Sequence, residues 1–259
     1  MKYTKTPLSI HQQVQRLEDR GLIIDDMDSA MNYLSKISYY RLRAYTYPFQ
    51  DNENPEADHR FIRDDIHLSE IMRLYYFDKK LRNLIFKVLE EVEVALRARI
   101  IQVYSEHYGD SHWFLNKSVY KDTEIYKDEK ADISQYGVLV FDIRNEIIRS
   151  SEDFIKHYKD KYGDPELPPA WMALEVLTIG TLSRLYKQLI NSELKEKIAY
   201  DFGLPNSNIL SNWIRAFAFL RNCCAHHSRV WNRRFIINVI LPYNTLYPFI
   251  DKATSRSVF

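Results

Sequence analysis

The chain is poor in the residues that punctuate and staple small folds. It has 6 glycines and 2 cysteines in 259 residues, against 19 tyrosines and 13 phenylalanines. So little glycine, together with long polar–apolar periodic runs, argues against an all-β protein and for a helical one. The two cysteines are the adjacent pair Cys223 and Cys224. Neighbouring positions do not give the Cα separation of an ordinary disulfide, so no oxidised framework is expected. No run approaches the roughly 18 apolar residues that read as a bilayer span. The N-terminal MKYTKTPLSIHQQVQRL carries no apolar signal core, and the expectation is a soluble cytoplasmic protein with no membrane partner. Net charge is only +1, so any polyanion-binding function must lie in a local patch. A kinase or NTPase would need a glycine-rich phosphate loop, and a hydrolase its nucleophile motif; neither is present.

A local absence says more. From Phe202 to Ile250 there is no Asp or Glu, where average composition would place about seven. The same window holds Arg215, Arg221, Arg229, Arg233 and Arg234, with His226 and His227. An acid-free segment bearing arginines creates a positive field even when the whole chain is near neutral, and that suits a polyanion. The plainer alternative is an apolar element whose arginines pair with acids elsewhere.

Taken in order, Ser9 can cap a first helix with Ile10, Val14 and Leu17 on one face and Gly21 at its end. Asp28 or Ser29 opens a second, which leads into a run of tyrosines interleaved with Arg41 and Arg43. Such a run either stacks on bases and pairs with phosphates, or packs its aromatics and solvates its arginines. Residues 51–58 read as a loop. Ser69 to Tyr108 is the longest helical pattern, with a stripe of Ile71, Leu74, Leu81, Leu84, Val88, Val92 and Leu96. Unbroken it would reach about 60 Å, so a break is expected. Within it Glu93 and Arg97 are i,i+4 partners, either a plain helix salt bridge or a pair that orients a site. Lys117 to Glu129 reads as a loop or short helix, Ile133 to Tyr158 as a helical region, and Pro169 as the opening of a helix interrupted at Gly180. Ser192 opens a short helix to Tyr200. Asn206, Ser207 and Asn208 can cap a last one that buries Leu210, Trp213, Ile214, Phe217 and Leu220. The β-branched run Phe235 to Ile240 can be a short strand or an extended packed tail.

The last helix ends in LRNCCAHHSRVWNRR, Leu220 to Arg234, which contains Arg221, Asn222 and His226 at Arg-Asn-x-x-x-His spacing. This resembles the Arg-x4-His signature of HEPN-type ribonucleases, with a polar residue after the arginine. The surrounding residues resemble the C-terminal part of the Abi abortive-infection family, the AbiD/AbiF group. Three further segments fit it: YLSKISYYRLRAYTYPF at 33–49, YYFDKKLRNLIFKVLEEVEVALRARI at 75–100 and PPAWMALEVLTIGTLSRLY at 168–186. The resemblance implies a mainly all-α, HEPN-like helical bundle, here residues 61–259, preceded by an N-terminal helical extension over residues 1–60. A short β segment near the C-terminus is compatible with it.

It also implies an abortive-infection toxin of anti-phage defence: a metal-independent endoribonuclease with Arg221, His226 and Asn222 as catalytic residues. Arg41, Arg43, Arg97, Arg229, Arg233 and His227 are the candidates for RNA contacts. The chemistry is self-consistent. RNA carries its own nucleophile, the 2′-OH, beside the phosphate. An imidazole titrating at about 6.5 can take that proton or protonate the leaving oxygen. A guanidinium stabilises charge at phosphorus. The products would be a 2′,3′-cyclic phosphate and a 5′-hydroxyl, with no cofactor and no metal. On a regular helix five residues turn through about 140°, so Arg221 and His226 are not stacked, whereas Asn222 at i−4 can orient the imidazole. In the family two motifs meet across a two-fold axis, so one motif here implies a homodimer. A small noncoding RNA that restrains the toxin is a further partner the resemblance suggests. Spacing favours His226 over His227. The alternatives are a non-catalytic RNA-binding or assembly module of a defence or toxin–antitoxin system, and a zinc site from Cys223, Cys224, His226 and His227. Four ligands so close in sequence converge poorly on a tetrahedral ion.

Overall fold

The computed structural model describes residues 2, 6–121, 124–128 and 131–242. Residues 243–250 of the acid-free window lie outside the described residues. The described chain is mainly helical and forms two compact units.

The first unit is residues 1–85 with 223–233. Helix α1, Ile10–Asp19, opens on the expected Ser9 through a capping box. The Ser9 hydroxyl accepts from Gln12 N at 3.2 Å and the Gln12 amide oxygen accepts from Ser9 N at 2.8 Å. Gly21, at φ 97°, ends it in the left-handed region where glycine has no steric cost. Helix α2, Met27–Ile37, is capped by Asp26 rather than by Asp28 or Ser29. The Asp26 carboxylate accepts from both Asp28 N and Ser29 N, so the acid just upstream of those residues serves the first turn. Helix α3, Tyr39–Thr46, follows after Ser38 alone. Ser38 sits at φ 65° and caps α3 while closing α2, which lets two helices change direction over one residue. Val14, Leu17, Leu34, Leu42, Tyr45 and Ile71 form the core of this unit.

Helix α4, Leu68–Tyr108, runs for 41 residues without the expected break. It holds no glycine or proline, so nothing in it removes a backbone donor or favours a kink. Gly109, at φ 60°, terminates it as expected. Its apolar stripe is not uniformly core. Ile71 and Leu96 are buried, whereas Leu84 and Val88 are 67% and 59% exposed.

The second unit is residues 86–222 with 234–259. Residues 117–129, expected as loop or short helix, contain a 3-10 turn at Lys117–Val119 and then strand β1, Glu124–Asp128. That strand pairs antiparallel with β2, Ala131–Ser134. Helices α5, Gln135–Arg149, and α6, Asp153–Lys161, divide the expected single helical region. The helix expected from Pro169 is also divided. Helix α7, Ala170–Ala173, and a 3-10 turn end at Leu177, and α8, Ile179–Gln188, starts anew on the Thr178 cap. The interruption therefore precedes Gly180, because the Thr178 hydroxyl offers Thr181 N an acceptor that restarts the helix. Helix α9, Ser192–Asp201, is capped by Asn191. Helix α10, Ser207–Ala225, opens on Asn206, whose side chain accepts from Ile209 N at 3.0 Å. Ile100, Tyr104, Trp113, Ile143, Leu182 and Ile214 lie in the core of this unit.

Phe235 to Ile240 forms no strand, and the chain bends at Ile236 and Ile237. One asparagine takes the place of a partner strand. The Asn212 side chain donates to Asn238 O at 3.0 Å and accepts from Ile240 N at 2.9 Å, while Trp213 Nε1 donates to Ile240 O at 2.8 Å. Side chains of α10 thus satisfy backbone groups that a sheet would otherwise pair.

Candidate functional site

The Arg-x4-His motif spans the end of α10. Arg221 and Asn222 belong to the second unit and His226 to the first.

In the second unit Arg221 is held by α4. Its Nε lies 3.6 Å from Glu93 Oε2, and its guanidinium carbon lies 5.8 Å from the centre of the Phe86 ring. Glu93 also accepts from Arg97 at 3.0 Å, so the expected i,i+4 pair is formed and one carboxylate serves two arginines. Arg97 is buried and donates further to Leu177 O at 2.8 Å. Arg97 is therefore committed to internal partners, and Arg221 is the half-buried, more accessible cation of the three-residue group. Phe86, Glu90, Glu93, Val94, Arg97 and Arg221 line a small cavity of about 250 Å³. Asn222 is exposed.

In the first unit the chain leaves α10 through a Schellman motif. Ser228 N donates to Cys223 O at 2.9 Å and His227 N to Cys224 O at 3.0 Å. The position that normally takes glycine is His227, at φ 55°. A side chain in this left-handed conformation costs on the order of 1–2 kcal/mol, so the surroundings must impose it. They do so through two contacts. Arg41 donates to His227 O at 2.5 Å, and a buried carboxylate holds the residues that follow. That carboxylate is Asp78 of α4, fully buried. It accepts from Val230 N at 3.1 Å, from Trp231 N at 2.7 Å, from the Tyr45 hydroxyl at 2.6 Å and from Arg82. Burial, reinforced by the hydrogen bond to Asp78, pushes the Tyr45 phenol well above its ordinary range, so it stays a neutral donor.

Around this clamp Tyr40, Arg41, His226, His227, Arg229 and Arg233 line a cavity of about 500 Å³, with no acid among its described lining residues. Arg229 donates to Ala44 O at 2.6 Å, and burial lowers its guanidinium pKa. His226 and His227 are exposed, and Tyr40 is 81% exposed. Four of the six candidate RNA-contact residues, Arg41, His227, Arg229 and Arg233, thus meet beside His226. Arg43 does not join them. It bonds His59 Nε2 at 2.8 Å and lines a different cavity, because successive odd positions on a helix point to different sides. Arg97 lies in the second unit, as described above.

Asp78 was not among the candidates read from the sequence. Its only signal there is a lone carboxylate in YYFDKKLRN with an arginine four residues on, at Arg82. Cys223 and Cys224 are both buried, and burial raises the Cys224 thiol, which disfavours a thiolate nucleophile. Among the described residues no group of three or more His, Cys, Asp or Glu is placed to hold a metal ion, and no helix is long and apolar enough to cross a membrane.

A family model described as Abi-like protein matches residues 32–232. The chain belongs to the Abi-like family. No curated protein and no solved structure matches it. Membership supports a role in abortive-infection defence. The Abi-like match takes in Arg41, Asp78, Glu93 and Arg97 together with the whole segment from Arg221 to Asn232, and stops one residue before Arg233.

Proposed function

We propose that this Abi-like chain is a metal-independent endoribonuclease of abortive infection that cleaves RNA through Arg221 and His226, leaving 2′,3′-cyclic phosphate ends. The observation that carries the reading is the acid-free cavity in which His226 stands beside His227, Arg41, Arg229 and Arg233. Such a wall suits a phosphodiester, and an imidazole in it can move the 2′-OH proton. The exposed Tyr40 ring offers a stacking face for a base. In this reading Asn222 orients the imidazole, and Glu93 holds Arg221 ready to stabilise the phosphorane charge. The working form is a homodimer bringing two motifs together. The exposed Leu84 and Val88 of α4 suit a subunit contact better than they suit solvent. A small noncoding RNA is the proposed restraint.

The deciding experiment is cleavage of total cellular RNA in EDTA by the purified chain beside His226→Ala and Arg221→Ala. Cyclic-phosphate ends from wild type are expected, with losses of about 10²–10⁴-fold for His226→Ala. Equal cleavage by all three proteins would overturn the site. RNA bound by wild type and never cut would replace the enzyme by a non-catalytic RNA-binding module.

A further inference from the structure

The motif and its cavity use only part of the acid-free window. Arg215, on the helical stretch before them, is exposed and makes no ion pair among the described residues. It lines a separate groove of about 760 Å³ in the second unit. The groove gathers cations from four places in the chain: Lys121 ahead of β1, Arg184 and Lys187 on α8, Lys195 on α9 and Arg215 on α10. Among the described residues no Asp or Glu lines it. Cations gathered along one groove repel one another, an arrangement that a bound polyanion would relieve.

Two of the five have internal duties. Arg184 pairs with Asp142 at 2.5 Å. Lys195 donates to Leu189 O at 3.2 Å and sits 5.0 Å over the Tyr186 ring. Burial, together with the nearby charge of Lys121, lowers its pKa. Lys121, Lys187 and Arg215 are exposed and have no ion-pair partner among the described residues. A second observation points to a ligand. Gln188, 9% exposed, lines the groove, and its side-chain oxygen is buried with no hydrogen-bond partner among the described residues. A buried amide group left unpaired carries a desolvation cost that a donor on a bound molecule would remove.

We infer that this groove is a binding track for a single strand of RNA, with Lys121, Lys187 and Arg215 on phosphates and Gln188 on a ribose or base donor. The identity of the strand rests on the ribonuclease reading; the groove itself rests on charge and on Gln188. The track serves affinity for long RNA and not bond cleavage, since its residues are distinct from the motif.

The test measures binding of a labelled single-stranded oligoribonucleotide to the full chain and to Lys187→Gln/Arg215→Gln, both carrying His226→Ala so that RNA stays intact. Cleavage of long RNA and of a dinucleotide is followed in the same pair with His226 restored. Both substituted side chains are exposed, and circular dichroism confirms the fold. Expected are about tenfold weaker binding and a log–log salt dependence shallower by about 1.4, at 0.7 per lost phosphate contact. Dinucleotide cleavage should be unchanged. Unaltered affinity and salt slope in the double variant would overturn the track while leaving the ribonuclease reading intact. Weakened binding with no cleavage by any protein would overturn the ribonuclease reading and support the track. A wild-type chain that binds no RNA overturns both. Full competition by a mononucleotide at equal phosphate would overturn the strand in favour of a small phosphorylated ligand.

Discussion

Helix α4 carries two carboxylates, one in each unit, that hold residues of the segment from Arg221 to Trp231, and they do different work. Asp78, fully buried in the first unit, spends itself on backbone: the amides of Val230 and Trp231, with Tyr45 and Arg82 completing its shell. Glu93, in the second unit, touches no backbone donor in the motif and holds two guanidiniums, Arg97 and Arg221. The first fixes where the chain goes after the histidines. The second fixes where a charge stands. A carboxylate that organises backbone sits deep because its partners cannot move, whereas one that presents a cation must leave that cation partly open.

Breaking the buried member should have the largest effect. Asp78→Ala leaves Arg82 as a buried, unpaired charge and two amides without acceptors. A loss of about 3–5 kcal/mol is expected for disrupting a buried pair from one side. Because the chain has two compact units, hydrogen exchange at the Val230 and Trp231 amides is a better readout than a single melting curve. Protection of those amides unchanged from wild type would show that Asp78 does not hold the turn. Glu93→Gln sharpens the contrast with a smaller change, about 1.5–3 kcal/mol at most for losing a charged hydrogen bond. The amide side chain keeps the shape and gives up the charge that pairs with Arg221. RNA cleavage should fall while exchange at Val230 and Trp231 stays as in wild type. Loss of protection there, or full cleavage, would erase the division of labour between the two acids.

Much of this was legible in the residues, and the reasons for the rest are physical. Local signals carry furthest. Ser9, Gly21, Gly109 and Asn206 act where they stand because a cap or a left-handed turn depends on a few neighbouring atoms. The Glu93–Arg97 pair was visible because i,i+4 spacing alone brings it together. What escaped was set by distance in sequence. Nothing near Asp78 shows that its partners are the amides 152 and 153 residues away. Hydrophobic periodicity placed Leu84 and Val88 on the same stripe as Ile71 and Leu96, but periodicity reports a face and not what covers it. The unbroken α4 and the pairing of β1 with β2 escape for a related reason: expected helix length and charge are averages, and this chain departs from both. The sequence names Arg41 and the histidines as candidates but does not bring them together; the long-range contact of Arg41 with His227 O does, and that Arg43 turns elsewhere follows from helix rotation.

The smallest expected effect separates the two histidines, which composition and spacing leave side by side. His227 holds a position where glycine is at home, at φ 55°, and its own contribution to the turn is its backbone: N–H to Cys224 O and carbonyl to Arg41. His227→Gly keeps both bonds. It removes a left-handed penalty of roughly 1–2 kcal/mol and adds about 0.5–1 kcal/mol of unfolded-state entropy, so a net gain of about 0.5–1 kcal/mol is expected. Denaturant midpoints of the two proteins measure it. If His226 is the acting base, the variant should also cleave RNA within a few-fold of wild type. A more stable protein that no longer cleaves would move the chemistry to His227 and explain why a strained residue stands there: the side chain would be held against its backbone preference for the sake of the reaction. A less stable one would mean that the imidazole packs the turn, and the Asp78 clamp would then be supporting a side chain as well as a chain path.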